Sequence, residues 1–88
     1  MLFFNPKMEY SITLKKRAVK DLDSIPVQDR LKVIERMEVM GDNLSGDVKK
    51  LTNHTPEYRM RYGNWRVLFE IEGNQIIVYR VLNRKEAY

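Results

Sequence analysis

The chain contains no cysteine and a single histidine, His54. The first absence excludes disulfides, thiolate metal sites and cysteine nucleophiles, and it permits a reducing compartment. The second argues against a zinc centre. Long apolar runs are also missing. Nothing approaches the roughly 18 residues of a membrane span, and Met1-Leu2-Phe3-Phe4 is too short for the apolar region of a signal peptide. The expectation is a soluble, cytoplasmic protein with no membrane partner. Internal repeats, linkers and low-complexity tracts are absent as well.

What is present fits one compact body. A chain of 88 residues supports a single modest core, so function must sit on the surface of one domain, residues 1–88. Hydrophobic residues at 43% and charged residues at 32% are too apolar a mixture for disorder. Lys and Arg total 16 against 12 acids, a net charge of +4. The long-range field therefore favours a polyanion or an acidic protein as partner.

Residues 9–13 alternate polar and apolar, with Tyr10 and Ile12 on one face, which predicts a short strand. Thr13 is placed to cap a helix. Ala18, Val19, Leu22 and Ile25 then recur at helical spacing. Pro26 stops this helix, because it lacks an amide donor and its ring clashes with the carbonyl of Leu22. It also suits the first turn of a second helix, whose apolar stripe is Val27, Leu31, Ile34 and Met37, widened by Val33 and Met40. Gly41 is placed to end that helix in a left-handed conformation. The two helices should form an antiparallel hairpin. Residues 42–46 read as a loop, 48–51 as a short extended piece and 52–56 as another loop.

From residue 58 the period becomes two. Residues 58–62, 65–71 and 75–82 are aromatic and β-branched strands, separated by Gly63-Asn64 and Gly73-Asn74, which suit two-residue hairpin turns. The fold class is α+β: an N-terminal strand, a helical hairpin, then a three-stranded antiparallel meander, β-α-α-β-β-β, with the helices on one face of an antiparallel sheet.

A two-residue turn at Gly63-Asn64 sets Tyr62 against Trp65, Arg61 against Arg66, Met60 against Val67 and Arg59 against Leu68. Tyr58, Met60, Tyr62, Trp65, Val67, Phe69 and Ile71 then line the face under the helices. Arg59, Arg61 and Arg66 line the other face, with Arg66 expected to be exposed. Two arginines directly opposite each other cost stability, and Glu70 is the only acid in these two strands to relieve them. Two readings fit: a solvated charged face, or a surface that binds an anion. The tail, Val81-Leu82-Asn83-Arg84-Lys85-Glu86-Ala87-Tyr88, inclines the choice to the second. Lys49, Lys50 and Arg80 are structural or generally electrostatic, with RNA contact as the lesser alternative. His54, in a polar loop, reads as incidental.

The string Tyr58-Arg59-Met60-Arg61-Tyr62-Gly63-Asn64-Trp65-Arg66-Val67-Leu68-Phe69-Glu70-Ile71 resembles the heart of the RelE/ParE toxin superfamily. Asn83-Arg84-Lys85-Glu86-Ala87-Tyr88 resembles that family's His-Arg-x-x-x-Tyr ending, and residues 9–25 resemble its opening strand and helix. Residues 1–7 fall outside the pattern, so Met8 is an alternative start. The resemblance implies a ribosome-dependent messenger-RNA endonuclease without metal or cofactor, whose site falls by motif on Arg59, Arg61, Arg66, Arg84 and Tyr88. It also implies a cognate antitoxin, with the toxin alone a monomer and a hetero-oligomer forming on binding. This chain departs from the pattern by carrying Asn83 where many relatives have His, and Arg instead of Lys at the two strand positions. A ParE-like gyrase inhibitor and a non-enzymatic basic binding module are the alternative functions.

Overall fold

The structure, a computed structural model, describes residues 9–87. The expected extra segment at residues 1–7, the alternative start at Met8 and the candidate Tyr88 lie outside those residues. In chain order the elements are β1 (Ser11–Leu14), α1 (Lys16–Ser24), α2 (Val27–Met40), β2 (Val48–Lys50), β3 (Tyr58–Tyr62), β4 (Trp65–Glu72) and β5 (Gln75–Asn83). The strands form one sheet in the order β1-β5-β4-β3-β2. This is the expected α+β arrangement with one addition, because the short extended piece pairs with β3 as an edge strand.

The meander has the register that its turns dictate. Tyr62 pairs with Trp65, Arg61 with Arg66 and Met60 with Val67, and Gln75 opposes Glu72 at the second turn. Gly63 sits at φ 57°, a left-handed conformation that only glycine adopts without steric cost, so the first turn can be this tight. The expectation of a wholly antiparallel sheet is corrected at one edge. β1 runs parallel to β5, from Ser11 opposite Gln75 to Leu14 opposite Val78.

The core lies between the helices and the face carrying Met60, Val67, Phe69, Ile76, Val78 and Val81. Helix α1 contributes Ala18 and Leu22, with Ile25 just beyond its end, and α2 contributes Val33, Met37 and Met40. Two expected core positions on α2 do not pack: Val27 and Leu31 remain 60% and 62% exposed. Val19 on α1 is exposed too. The buried stripe of α2 is therefore its C-terminal half, rotated toward Val33 and Met40.

Both helix-end expectations around Pro26 hold, with α1 ending at Ser24 and α2 beginning at Val27. Arg30 reaches back from α2 to the carbonyl oxygens of Asp23 and Ile25 at 3.2 and 3.1 Å, satisfying acceptors that the end of α1 leaves open. Thr13 is no cap. It lies within β1, where its Oγ1 accepts a hydrogen bond from Gln75 Nε2 at 2.9 Å. Gly41 ends α2 in a right-handed conformation, φ −62°, correcting the left-handed expectation. Its reason for being glycine is proximity: a Cβ there would meet the carbonyl oxygens of Glu38 and Tyr10 at 3.2 Å each.

β5 carries an irregularity that fixes where α1 docks. Phe69 pairs with Val78 but Leu68 pairs with Arg80, so Tyr79 is an extra residue and the strand bulges. Beyond this point β1 has ended, and α1 supplies the missing acceptor. Asp21 takes the backbone N–H of Val81 at 2.9 Å and the Arg80 guanidinium through Nε at 2.8 Å and Nη2 at 3.2 Å. The bonds to Asp21 hold the Arg80 pKa above its ordinary value. Replacing Asp21 by Ala should lower stability by about 1–3 kcal/mol, the scale of leaving a part-buried donor unsatisfied, read as a lower urea midpoint. An unchanged midpoint would show that the bulged edge needs no acceptor from α1.

Candidate functional site

The arginines of β3 and β4 are set by period and register. Arg59 and Arg61 alternate with the core-facing Tyr58, Met60 and Tyr62, and Arg61 stands directly opposite Arg66. Like charges so placed repel, and each arginine is held by a different device. The expected acid, Glu70, is engaged elsewhere: its Oε2 accepts the backbone N–H of Glu57 at 2.9 Å, closing the loop before β3. The compensating carboxylate is Asp47, from the loop before β2. It accepts from Arg61 Nε at 2.6 Å and from Arg59 Nη1 at 3.2 Å. Its carbonyl oxygen binds the backbone N–H of Arg61 at 2.9 Å and Arg59 Nη1 at 3.2 Å.

The hydrogen bond from Arg61, then that from Arg59, holds the Asp47 carboxyl below the usual carboxylate range. A carboxyl lowered in this way stabilises the fold above its unfolded-state pKa, and the contribution fades as pH falls through the folded value. At 43% side-chain exposure solvent screens the effect, so Asp47 bears on the site more than on stability.

Arg66 corrects the expectation of exposure. It is 9% exposed, and its Nη1 donates to the carbonyl oxygens of Gly63 and Trp65 at 2.9 Å each. Those carbonyls belong to the β3–β4 turn, so the guanidinium ties the turn to the strand that follows. Leu68, on the same face, is also buried. It lies in register between Arg59 and Arg80, whose aliphatic stems can cover it.

The tail returns to this turn. Arg84 donates its backbone N–H to the carbonyl oxygen of Asn64 at 2.7 Å, extending the ladder past β5, and Glu86 N–H reaches the Asn83 carbonyl at 2.8 Å. Asn83 Oδ1 accepts the Lys85 N–H at 3.1 Å. Asn83 thus forms the tail's turn through both its oxygens. Ala87 is buried, so the chain is held against the body up to the residue before Tyr88.

Arg61, Arg66 and Arg84 line one cleft of about 370 Å³, together with Asp47, Gly46, Met60, Tyr62, Gly63 and Arg36. Arg59 lines a neighbouring depression with Lys49, Leu51, Thr52 and His54. Three of the expected site residues are therefore brought together, the fourth stands next to them and shares Asp47, and the fifth, Tyr88, lies outside the described residues. The electrostatic candidates separate. Lys49 pairs opposite Arg59, Lys50 lies over the Tyr58 ring at 5.9 Å, and Arg80 is committed to Asp21. His54 places Nδ1 2.8 Å from the Pro56 carbonyl.

Sequence reasoning missed Arg36 and Asp47. Arg36 comes from α2 and sits over the Tyr62 ring at 5.1 Å. Its signal was available: it lies three residues after Val33 and four before Met40, at the margin of the buried stripe. Asp47 gave no such signal, because its position depends on how the loop approaches β3. Among the described residues no group of three or more His, Asp and Glu side chains gathers as a metal site, and no helix is long and apolar enough to cross a membrane.

The chain is thus a small α+β body that carries an arginine cleft where a β-hairpin turn meets the C-terminal tail. Residues 12–88 match the family model described as the ParE toxin of type II toxin–antitoxin system, parDE. Toxin RelE3 of Methanocaldococcus jannaschii is 37% identical over 82 residues, covering 88% of this chain and 93% of the relative. A chain in the crystal structure of the RelB–RelE antitoxin–toxin complex from Methanococcus jannaschii superposes with a TM-score of 0.65 at 36% identity, over 86% of this chain and 94% of that one. The toxin–antitoxin complex RelBE2 of Mycobacterium tuberculosis contains the same fold, TM-score 0.75 at 20% identity, over 89% of this chain and 94% of that one. The chain belongs to the RelE/ParE family of type II toxins.

The two opposed arginines should respond differently to truncation. Arg66→Ala removes donors from the turn carbonyls and should cost about 1–3 kcal/mol. Arg61→Ala removes an exposed like charge and should stay within about 0.5 kcal/mol of the native chain. Urea unfolding of both variants checks this, and an Arg66→Ala protein as stable as the native one would remove the anchoring role.

Proposed function

We propose that this chain is the toxin of a type II toxin–antitoxin pair and that it cuts messenger RNA on the ribosome. The observation that carries the proposal is the convergence of Arg61, Arg66 and Arg84 on one cleft, beside the tail that ends in Tyr88. The reaction is attack of a ribose 2′-hydroxyl on its adjacent phosphate. The 2′-oxygen bonds to phosphorus, the bond to the 5′-oxygen breaks, and the products are a cyclic phosphate and a 5′-hydroxyl end.

Negative charge builds on the phosphorane, and fixed guanidiniums are suited to it through planar, charge-assisted hydrogen bonds. Arg66 is the more rigid of the opposed pair, because two turn carbonyls hold it. Arg61 faces it across the strands. Arg84 stabilises the leaving oxygen, and Arg59 supports Arg61 through their shared carboxylate. The proton of the 2′-hydroxyl goes to Tyr88, the one tail residue of the motif with an ionisable oxygen, and solvent water gives a proton to the leaving 5′-oxygen. No metal or cofactor is invoked. Asn83 has no titratable group to share this work, so positioning must supply much of the rate, consistent with a substrate that the ribosome holds in place.

The partners follow from the same reading: the ribosome and its messenger for activity, and a cognate antitoxin that covers the arginines or displaces the tail. The relative crystallised with RelB supports an antitoxin of that kind. One finding favours a second reading. The matching family model is described as a ParE toxin, and inhibition of DNA gyrase is the corresponding activity in this fold.

Single-turnover cleavage of programmed ribosomes, run beside a gyrase supercoiling assay, separates the two readings. The native chain should cleave. Arg61→Ala and Tyr88→Phe should each lower the rate by about 10²-fold or more, the usual scale for losing a charge-stabilising or proton-transfer group, with ribosome binding little changed. Added antitoxin should abolish cleavage. Gyrase inhibition without cleavage would overturn the nuclease reading, and equal rates for Tyr88→Phe and the native chain would exclude Tyr88 as the base.

A further inference from the structure

The cleft is lined by four guanidiniums, those of Arg36, Arg61, Arg66 and Arg84, and by one carboxylate, Asp47. That carboxylate spans Arg61 and Arg59, one oxygen to each. A phosphodiester presents the same chemistry: two oxygens sharing one negative charge, matched to guanidinium forks. Asp47 also has room to leave. Its side chain is 43% exposed, so the carboxylate can swing toward solvent. Arg61 remains half exposed at 53%, so an incoming anion can reach it, whereas the Arg59 side chain is 11% exposed and is reached only once the Asp47 carboxylate has moved.

We propose that Asp47 is an internal stand-in for the substrate phosphate. The Arg59–Arg61 pair is an anion site already filled by the chain's own carboxylate, and an RNA phosphate enters by displacing it. This deepens the nuclease reading and rests on it for the identity of the anion as an RNA phosphate. The carboxylate lowers the protein's affinity for phosphates that meet the cleft singly, because each must first break two charge-assisted hydrogen bonds. A messenger strand already held in place makes the exchange without a further loss of translational freedom, so the occupied site discriminates positioned RNA from RNA at large. Asp47 is a specificity-determining residue on this account, with no part in proton transfer.

The test uses binding alone, so that its outcome is independent of cleavage. The probe is a short 2′-O-methyl RNA oligonucleotide, which lacks the attacking hydroxyl, and the readout is fluorescence anisotropy with the full chain at about 0.15 M salt, where exposed charges are screened beyond roughly 8 Å. Asp47→Asn should bind the probe roughly tenfold more tightly than the native protein, the scale of one net hydrogen bond to a charged group. Asp47→Ser, which cannot imitate the carboxylate's shape, should give the same gain. Glu35→Gln, on the exposed surface of α2, makes the same change in net charge without removing a partner of Arg59 or Arg61 and should alter affinity less than about twofold, the range of a screened surface charge. Adding Arg61→Ala to Asp47→Asn should abolish the gain. Circular dichroism confirms that each variant is folded. Asp47 variants that bind no more tightly than Glu35→Gln, or more weakly than the native chain, would overturn the proposal and make Asp47 a support for the arginines. A gain in binding by a protein that fails to cleave ribosome-bound messenger would uphold the displaced anion while removing the nuclease reading.

Discussion

Arg61 and Arg66 stand directly across two hydrogen-bonded strands, and the surroundings of the cleft follow from keeping them there. Cross-strand neighbours of like charge destabilise a sheet. The chain meets this cost with two unlike devices. Arg66 is turned down onto the carbonyls of its own hairpin turn, and Arg61 is bound by a carboxylate borrowed from the loop before β2. The first device ties the turn to β4, and the second adds a side-chain link to the edge where β2 already pairs with β3.

The meander was legible because its signals are local. Gly63-Asn64 and Gly73-Asn74 fix two registers, and a register fixes which side chains face each other. Pro26 placed the helix junction for an equally local reason. The errors occur where long-range packing decides. Val27 and Leu31 have the right spacing for a buried stripe, yet only the half of α2 nearer Met40 meets the core. Gly41 looked like a left-handed terminator and is instead a residue that a neighbouring backbone approaches closely.

The same division runs through the site. Arg59, Arg61 and Arg66 share a face by period alone, and motif resemblance adds Arg84. Burial of Arg66 could not be read from alternation, because it depends on which carbonyls the turn offers. Asp47 is further removed. Twelve and fourteen residues separate it from Arg59 and Arg61, and nothing in its own neighbourhood marks it. Asn83 shows the converse, an apparent loss against the family pattern that supplies both acceptors for the turn in the tail.

The strand order also governs when this molecule can exist. Among the described residues β1 is the first strand made and pairs only with β5, the last, and β5 is also the partner of β4. A nascent chain has no use for β1 until residues 75–78 arrive to meet it, so closure waits on a contact spanning most of the polypeptide. The tail that completes the cleft is younger still. The sheet therefore cannot close until β5 has been made, and the arginine cleft assembles late, after the strands that carry Arg59, Arg61 and Arg66.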